Sequence, residues 1–502
     1  MDEGDGGAPI IEPEQPCTCI SSDGDIALVR GGKGLYVNVK PGAVCQFASG
    51  AKGVLLAWKE AVAILAIKSG APAEGEEVRV TTDLMITRCS SAICTGRIVN
   101  AWGEPVDDRP APPVPVVERQ AFAEFKGMDD RTNQYQSLFT GVLGIDFSVP
   151  VGRGQTMLMQ GTDEKKDKEH LWPDLMAVDK GPNAAAGPPA SICVCRTRED
   201  AEQLRTKLEA RGCWQRSVIV LAETPGVGAT TLAMNGALSL AEQIVVENGE
   251  AMVLMDMEPM HRIWNAVAEA AGVERRAKGI MVRPEDEWTE LEGTVLKESI
   301  AERRKFWFAL ISRAANAKGA GSATILAWVW EQAGGLVHRQ QKKYRMKIDE
   351  IKALPRISNM TRERMIWKIE KQATDAGCPL DEEVAEPESE VPGCPNWEIE
   401  ELKSITDGHL LLKPPSVEDG WGWHVDAYRS IARIGTDALH PALISVEAHK
   451  LRLKMLQGRD RANFLGDTRG AFGTLDNNKD TLELRFIELI MEQPAGQPMT
   501  ID

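Results

Sequence analysis

The chain has 502 residues, 43% of them hydrophobic and 26% charged, with a formal net charge of −16. That length exceeds what one core accommodates and suggests about three domains. The acidic balance excludes a surface built mainly for nucleic acid, which would have to neutralise phosphates, and the absence of any apolar run of about 18 residues excludes a helical membrane span.

In chain order, residues 1–24 are rich in Gly, Pro and Glu and are expected to form a disordered acidic tail. The N-terminus carries neither an apolar leader core nor an Arg-rich transit pattern, so the expectation is either a chain made where it works or a presequence already absent. Residues 25–92 hold short β-branched runs, Ile26–Val29, Gly34–Val39, Val54–Trp58, Val62–Ile67 and Glu77–Thr81, spaced by glycine turns as in a small sandwich or barrel. Residues 93–447 read as an α/β domain. Apolar strands at Met157–Gln160, Ser191–Cys195, Ser217–Leu221 and Ala251–Asp256 alternate with helices such as Glu199–Ala210, whose Ala201, Leu204 and Leu208 share one face. A basic, helical stretch followed by an acidic, proline-broken one marks 336–397 as an insert, a solvated excursion or a docking surface. Residues 448–502 space Leu451, Leu453 and Leu456, then Leu482, Leu484, Ile487 and Ile490, as a C-terminal helical domain would.

Within the α/β domain, Gly161 to Lys168 stands where a phosphate loop of the form G-x-x-x-x-G-K-[ST] should follow a strand. Only Gly161 fits: the second glycine position is Lys166, the lysine position Asp167 and the hydroxyl position Lys168. A carboxylate at Asp167 repels phosphate oxygens, so the loop is expected to be degenerate. Lys165, Lys166 and Lys168 interleave with Asp163, Glu164, Asp167 and Glu169 and are expected to be solvated charges. Asp256 ends an apolar strand as a magnesium-holding carboxylate does, yet without the loop hydroxyl it has little metal to hold. The glycine-rich Thr224–Thr231 lacks a lysine and reads as a turn and helix cap. Ten cysteines, including the pairs Cys17/Cys19 and Cys193/Cys195, lack zinc-site spacing, so free thiols and no bound metal are expected. Trp328, Trp330, Trp421 and Trp423 are read as core or interface anchors.

Five segments, Thr95–Asp107, Thr140–Asp146, Val149–Gln155, Ser404–Leu411 and Ile431–Gly435, occur in the order found in the α subunit of the rotary F-type ATP synthase head. Arg275-Arg276 and Ala323–Gly334 match more weakly, and the chain resembles that family collinearly over about residues 25–500. The resemblance implies an N-terminal β-barrel, a central RecA-like domain of the P-loop NTPase type, here with a degenerate loop, and a C-terminal helical domain. It implies β-type and γ-type subunits as partners, no contact with nucleic acid, and a membrane reached only through the complex.

In the family an α arginine crosses the interface to phosphates bound on β, and Arg433 aligns with it, with Ser430 in the same motif. These two would serve catalysis in trans, whereas Gly161 and Asp256 would be remnants of the chain's own nucleotide site, with ATP or ADP binding weakened. The expected function is a non-catalytic α-like subunit of a proton-driven ATP synthase on the soluble face of a chloroplast thylakoid, mitochondrial inner or bacterial plasma membrane. A freestanding assembly or regulatory factor that binds β-type subunits is the alternative, and a working ATPase with a remodelled loop is a third reading.

Overall fold

The computed structural model describes most of residues 17–433, leaving out 32–38, 179–189, 278–287, 385–390, 414–421 and some shorter stretches; beyond 433 it describes scattered positions, among them 493–494. The expected strand Gly34–Val39, Trp421 and nearly all of the expected C-terminal helical domain lie outside these residues.

Six antiparallel strands close an N-terminal barrel: β1 (Cys17–Asp23), β2 (Ile26–Arg30), β3 (Ala43–Phe47), β4 (Lys52–Lys59), β5 (Val62–Ser69) and β6 (Glu77–Leu84). Closure removes the unpaired edges an open sheet of this size would present. The barrel begins earlier than the composition suggests. Cys17–Asp23, assigned above to the tail, pairs with β2 along its length and with β6 at its start. Cys17 and Cys19 point inward at strand spacing and are buried with Ala27, Val29 and Leu65. All ten cysteines are buried free thiols.

Behind the barrel lies an eleven-stranded sheet. Its centre is seven parallel strands: β7 (Arg97–Val99), β8 (Thr156–Gln160), β9 (Ala190–Cys195), β10 (Ser217–Leu221), β11 (Glu250–Asp256), β12 (Gly321–Val329) and β13 (Gly408–Lys413). They lie side by side in the order β13-β8-β12-β11-β9-β10-β7. Short antiparallel strands extend the β13 edge, among them β14 (Gly422–Val425) and β15 (Ile431–Ala432). Parallel strands covered on both sides should be apolar throughout, and here alternate residues feed two cores. Leu158, Ile192 and Val194 join one, and Met157, Met159, Cys193 and Cys195 the other.

Helices α1 (Arg198–Ala210), α2 (Val227–Asn248) and α4 (Glu298–Ile311) pack on the sheet, and α3 (Glu258–Ala277) packs on barrel strands β4 and β5. α1 buries Ala201, Leu204 and Leu208, the face read from the sequence, and Thr197 caps it through the Asp200 amide. α2 is buried over most of its length, and its glycine-rich start is where the barrel docks. The Asp25 carboxylate accepts the Ala229 amide at 2.7 Å, and a Cβ at Gly228 would meet the Asp25 carbonyl at 2.7 Å. Those glycines thus make room for β2, and the carboxylate caps the helix, which typically stabilises by about 0.5–2 kcal/mol.

The insert opens with two packed helices, α5 (Gly335–Ala353) and α6 (Asn359–Asp375), and ends at α7 (Asn396–Ile405). α7 is pinned by its fully buried Glu398, which pairs with His261 on α3 and with Arg303 on α4. Arg303 also lies 4.3 Å from the ring centre of Trp397. Among the described residues no helix is long and apolar enough to cross a membrane.

Candidate functional site

Gly161 leaves the carboxyl end of β8, the end at which open parallel sheets hold their ligands. A phosphate loop would curl here with its amides free. Instead the chain turns at once into helix. Asp163 caps it by accepting the Lys166 amide at 3.0 Å, and helical residues Glu164–Lys166, a π turn at Asp167–Leu171 and Trp172–Ala177 follow without a break. The Asp167 amide bonds to the Asp163 carbonyl at 2.8 Å. The stretch from Asp163 onward is committed to its own helical ladder.

Two further loop amides face Asp167. One carboxylate oxygen, Oδ2, accepts the Thr162 amide at 2.9 Å, the Asp163 amide at 3.2 Å and the Trp330 indole N–H at 2.8 Å. Asp167 is 1% exposed. Burial pushes its carboxyl up to about 6, and the indole and two amides oppose that rise. Gly161 is required by this arrangement, because a Cβ there would collide with the Trp330 indole and the Asp167 carboxylate. Trp330 stacks on Trp328 with ring centres 5.7 Å apart, and Trp328 is fully buried. Both tryptophans are therefore core anchors, as expected, and Trp330 is also a donor.

One step further in, Asp256 sits at the end of β11 with cations against it. Arg196 donates to Asp256 and to Glu258 at 2.6 Å each, and the Lys168 ammonium lies 3.0 Å from Asp256 and also pairs with Glu164. Lys168 is thus paired rather than solvated. Its ammonium also lies 4.9 Å from the Trp330 ring centre, and desolvation pulls its pKa down while Asp256 and Glu164 raise it further. Burial pushes Glu258 up, but Arg196 outweighs it and holds the carboxyl near about 2. The end of the insert closes the group: the Gly393 amide donates to Glu258 at 3.1 Å, and the Cys394 amide to the Trp330 carbonyl at 2.8 Å.

Beside this network opens a cavity of about 550 Å³ lined by both signs of charge, including Glu164, Lys168, Arg196, Asp200 and Lys207. Among the described residues, no cluster of three or more His, Cys, Asp or Glu is placed to hold a metal. Gly161 and Asp256 therefore belong to one site. Arg196, Glu258 and Trp330 complete it, and of these Arg196 and Glu258 carried no signal in the sequence beyond lying just after an apolar strand.

Arg433 and Ser430 lie elsewhere. β15 pairs with the start of β13 (Gly408 opposite Ala432), and the start of β13 lies beside the start of β8 (Met157 opposite Gly408). That is the amino end of the parallel strands, opposite Gly161. Ser430 is buried and clamps the edge, donating to the Asp426 carbonyl at 2.7 Å and accepting the Leu411 amide at 2.9 Å. Arg433 is exposed, its guanidinium resting on the carbonyls of Lys403 (2.8 Å) and Ser404 (3.3 Å) at the end of α7. Helix carbonyls at that end favour a cation.

No family model matches the chain. Over 298 residues it is 28% identical to the ATP synthase subunit alpha of Helicobacter acinonychis (strain Sheeba), and equally so to that of Helicobacter pylori (strain J99). These alignments cover 58% of this chain and 54% of each relative, so the chain spans about half the length of the curated relatives it matches. Together with a closed six-stranded barrel ahead of a parallel α/β sheet, the similarity marks the chain as an alpha-like relative of these subunits.

Proposed function

We propose that the chain is a non-catalytic α-like subunit of a proton-driven F-type ATP synthase head, with its own nucleotide site closed from within. The observation that carries the closed site is that carboxylates of the protein take three of the loop amides, and its own cations take Asp256. Asp167 takes two amides that would face a phosphate, and Lys168 and Arg196 take the carboxylate that would face magnesium. A bound nucleotide would have to expel a buried carboxylate and separate paired charges, which is costly in a low-dielectric interior. ATP or ADP binding at this site is therefore weak or lost, and the site's remaining role is to hold β8, β9, β11 and the insert together.

Chemistry would then be supplied across an interface. Arg433 is proposed to reach the phosphates held by a β-type neighbour, where a guanidinium in trans spreads the transferring charge; Ser430 would position it by fixing the strand edge. γ-type subunits are the further partners of such a head, which would sit on the soluble face of an energy-transducing membrane. The alternative, a freestanding factor that binds β-type subunits, draws on the α5–α6 hairpin, which adds charged mass that a ring would have to accommodate.

Affinity purification from native membranes followed by native mass spectrometry separates the two. Recovery with β- and γ-type subunits at ring stoichiometry supports the head subunit; recovery as a monomer, or with a single β-type chain, overturns it. Equilibrium dialysis tests the closed loop. The chain should retain no measurable Mg-ATP, whereas Lys166→Gly, Asp167→Lys and Lys168→Thr together, which restore the loop residues, should gain at least about tenfold. Strong binding by the unaltered chain would refute closure.

A further inference from the structure

The α5–α6 hairpin is a basic element on an acidic protein. Residues 335–375 contain eleven Lys or Arg against five Asp or Glu, in a chain of net charge −16. Helical spacing places Ile366, Ile369 and Ala373 on the side of α6 toward α5, where Ile348 and Ile351 are buried. On the opposite side Met360, Arg364, Trp367 and Lys371 follow at steps of four, three and four residues, with Lys368 beside them, and all five are exposed. Those steps are the seam repeat of two helices lying side by side. The stripe covers three turns, about 17 Å of helix. Met360 is 81% and Trp367 59% exposed, and the Lys371 ammonium lies 5.6 Å from the Trp367 ring centre. Among the described residues, Arg364 and Lys368 pair with no carboxylate. Glu363 and Glu370 lie on the flank away from Lys368.

We propose that this stripe seats an acidic, amphipathic helix of a partner polypeptide. Met, Trp and Arg are enriched at the centres of protein interfaces, and Trp and Arg head the residues that dominate binding energy. Here Trp367 and Arg364 stand mid-stripe. Lys368 and Lys371, of a type depleted at such centres, lie at its edge and end, where an interface has its polar rim. The partner helix that fits sets apolar side chains against Met360 and Trp367 and carboxylates against Arg364, Lys368 and Lys371. A second copy of this chain does not fit, because it would bring these three cations against their own kind. A nucleic acid would use the cations but leave the methionine in water. The inference stands on the hairpin alone and holds whether the chain is a head subunit or a freestanding factor.

Benzoylphenylalanine placed in the full chain at either end of the stripe, in place of Met360 or of Lys371, leaves Trp367 intact and photocrosslinks what covers it in native material. Both positions should capture one polypeptide, at sites roughly three helical turns apart in a segment of net negative charge. A synthetic peptide of that mapped segment should then bind the unaltered full chain, and added salt should weaken the binding. Trp367→Ala should weaken it at least about thirtyfold. Arg364→Gln, Lys368→Gln and Lys371→Gln together should weaken it about tenfold, with circular dichroism checking that these surface changes leave the fold intact. Crosslinks to a second copy, to RNA or to lipid would overturn the proposal, as would no shared partner site for the two positions. So would a basic or uncharged captured segment, or a peptide that fails to bind or ignores both sets of replacements.

Discussion

Two of the glycine-bearing strand-to-helix turns direct helix-start amides at a carboxylate. At Gly161–Asp167 the carboxylate comes from the helix itself, six residues on, and is fixed by the Trp330 indole. At Gly226–Ala229 it comes from Asp25, some two hundred residues earlier in the barrel. The first arrangement satisfies the turn with a carboxylate of its own helix, held in place by an indole from the neighbouring strand's end. The second uses the same chemistry as a joint between two layers of the molecule. A glycine-rich turn followed by a helix is thus no evidence of a ligand until the source of its counter-charge is known.

The comparison breaks most forcefully through the network that backs the first turn. Arg196→Met leaves Asp256 and Glu258 buried with less positive charge, and should cost about 3–5 kcal/mol in chemical denaturation; Arg196→Met with Asp256→Asn should recover part of that loss. The next effect is a pH signature. The Asp167 carboxyl titrates near about 6 when folded, against about 3.9 when unfolded. Between those values the folded chain holds the extra proton. This group therefore adds stability as pH falls from about 6 towards 4, and that contribution is lost as pH rises through about 6. It amounts to about 1–3 kcal/mol, and Asp167→Asn, which keeps an acceptor for the indole and amides, should flatten it. Glu258 has the opposite sign: held near about 2, it stabilises above about pH 4 and loses that contribution as pH falls towards 2.

Asp25→Ala should cost less, about 0.5–2 kcal/mol, but should show a different symptom. Proteolysis would separate barrel from sheet before either unfolds if the joint is what Asp25 supplies; uncleaved, cooperative loss would count against it. Smallest of all is Arg433→Ala, expected within about 0.5 kcal/mol of the parent in stability. Among the described residues its exposed side chain bonds to two helix carbonyls, so any large effect should appear as lost ATP turnover in an assembled complex.

The parallel sheet was legible because fully buried strands leave continuous apolar runs, and Met157–Gln160, Ser191–Cys195, Ser217–Leu221 and Ala251–Asp256 all fall within strands. That a carboxylate, Asp167, stands at the loop's lysine position was legible in the sequence. What holds Asp167 was not: Trp330 is 163 positions away, and nothing local distinguishes a donating indole from a packed one. The pairing of Lys168 was missed for the same reason, since its partner Asp256 is 88 positions away. β1 was hidden by the Gly-, Pro- and Glu-rich stretch before it, although the Cys17–Cys19 alternation was a strand signal that was read only for its thiol chemistry.

Those buried thiols have a practical consequence. Burial pushes Cys17 up to about 11 and Cys45 and Cys89 up to about 12, so thiolate is scarce while the chain is folded. The cysteines are spread through the barrel, both faces of the sheet and the insert. Each is therefore a built-in clock: the rate at which an alkylating reagent reaches a given cysteine reports how often that part of the molecule opens, with no label or tag added.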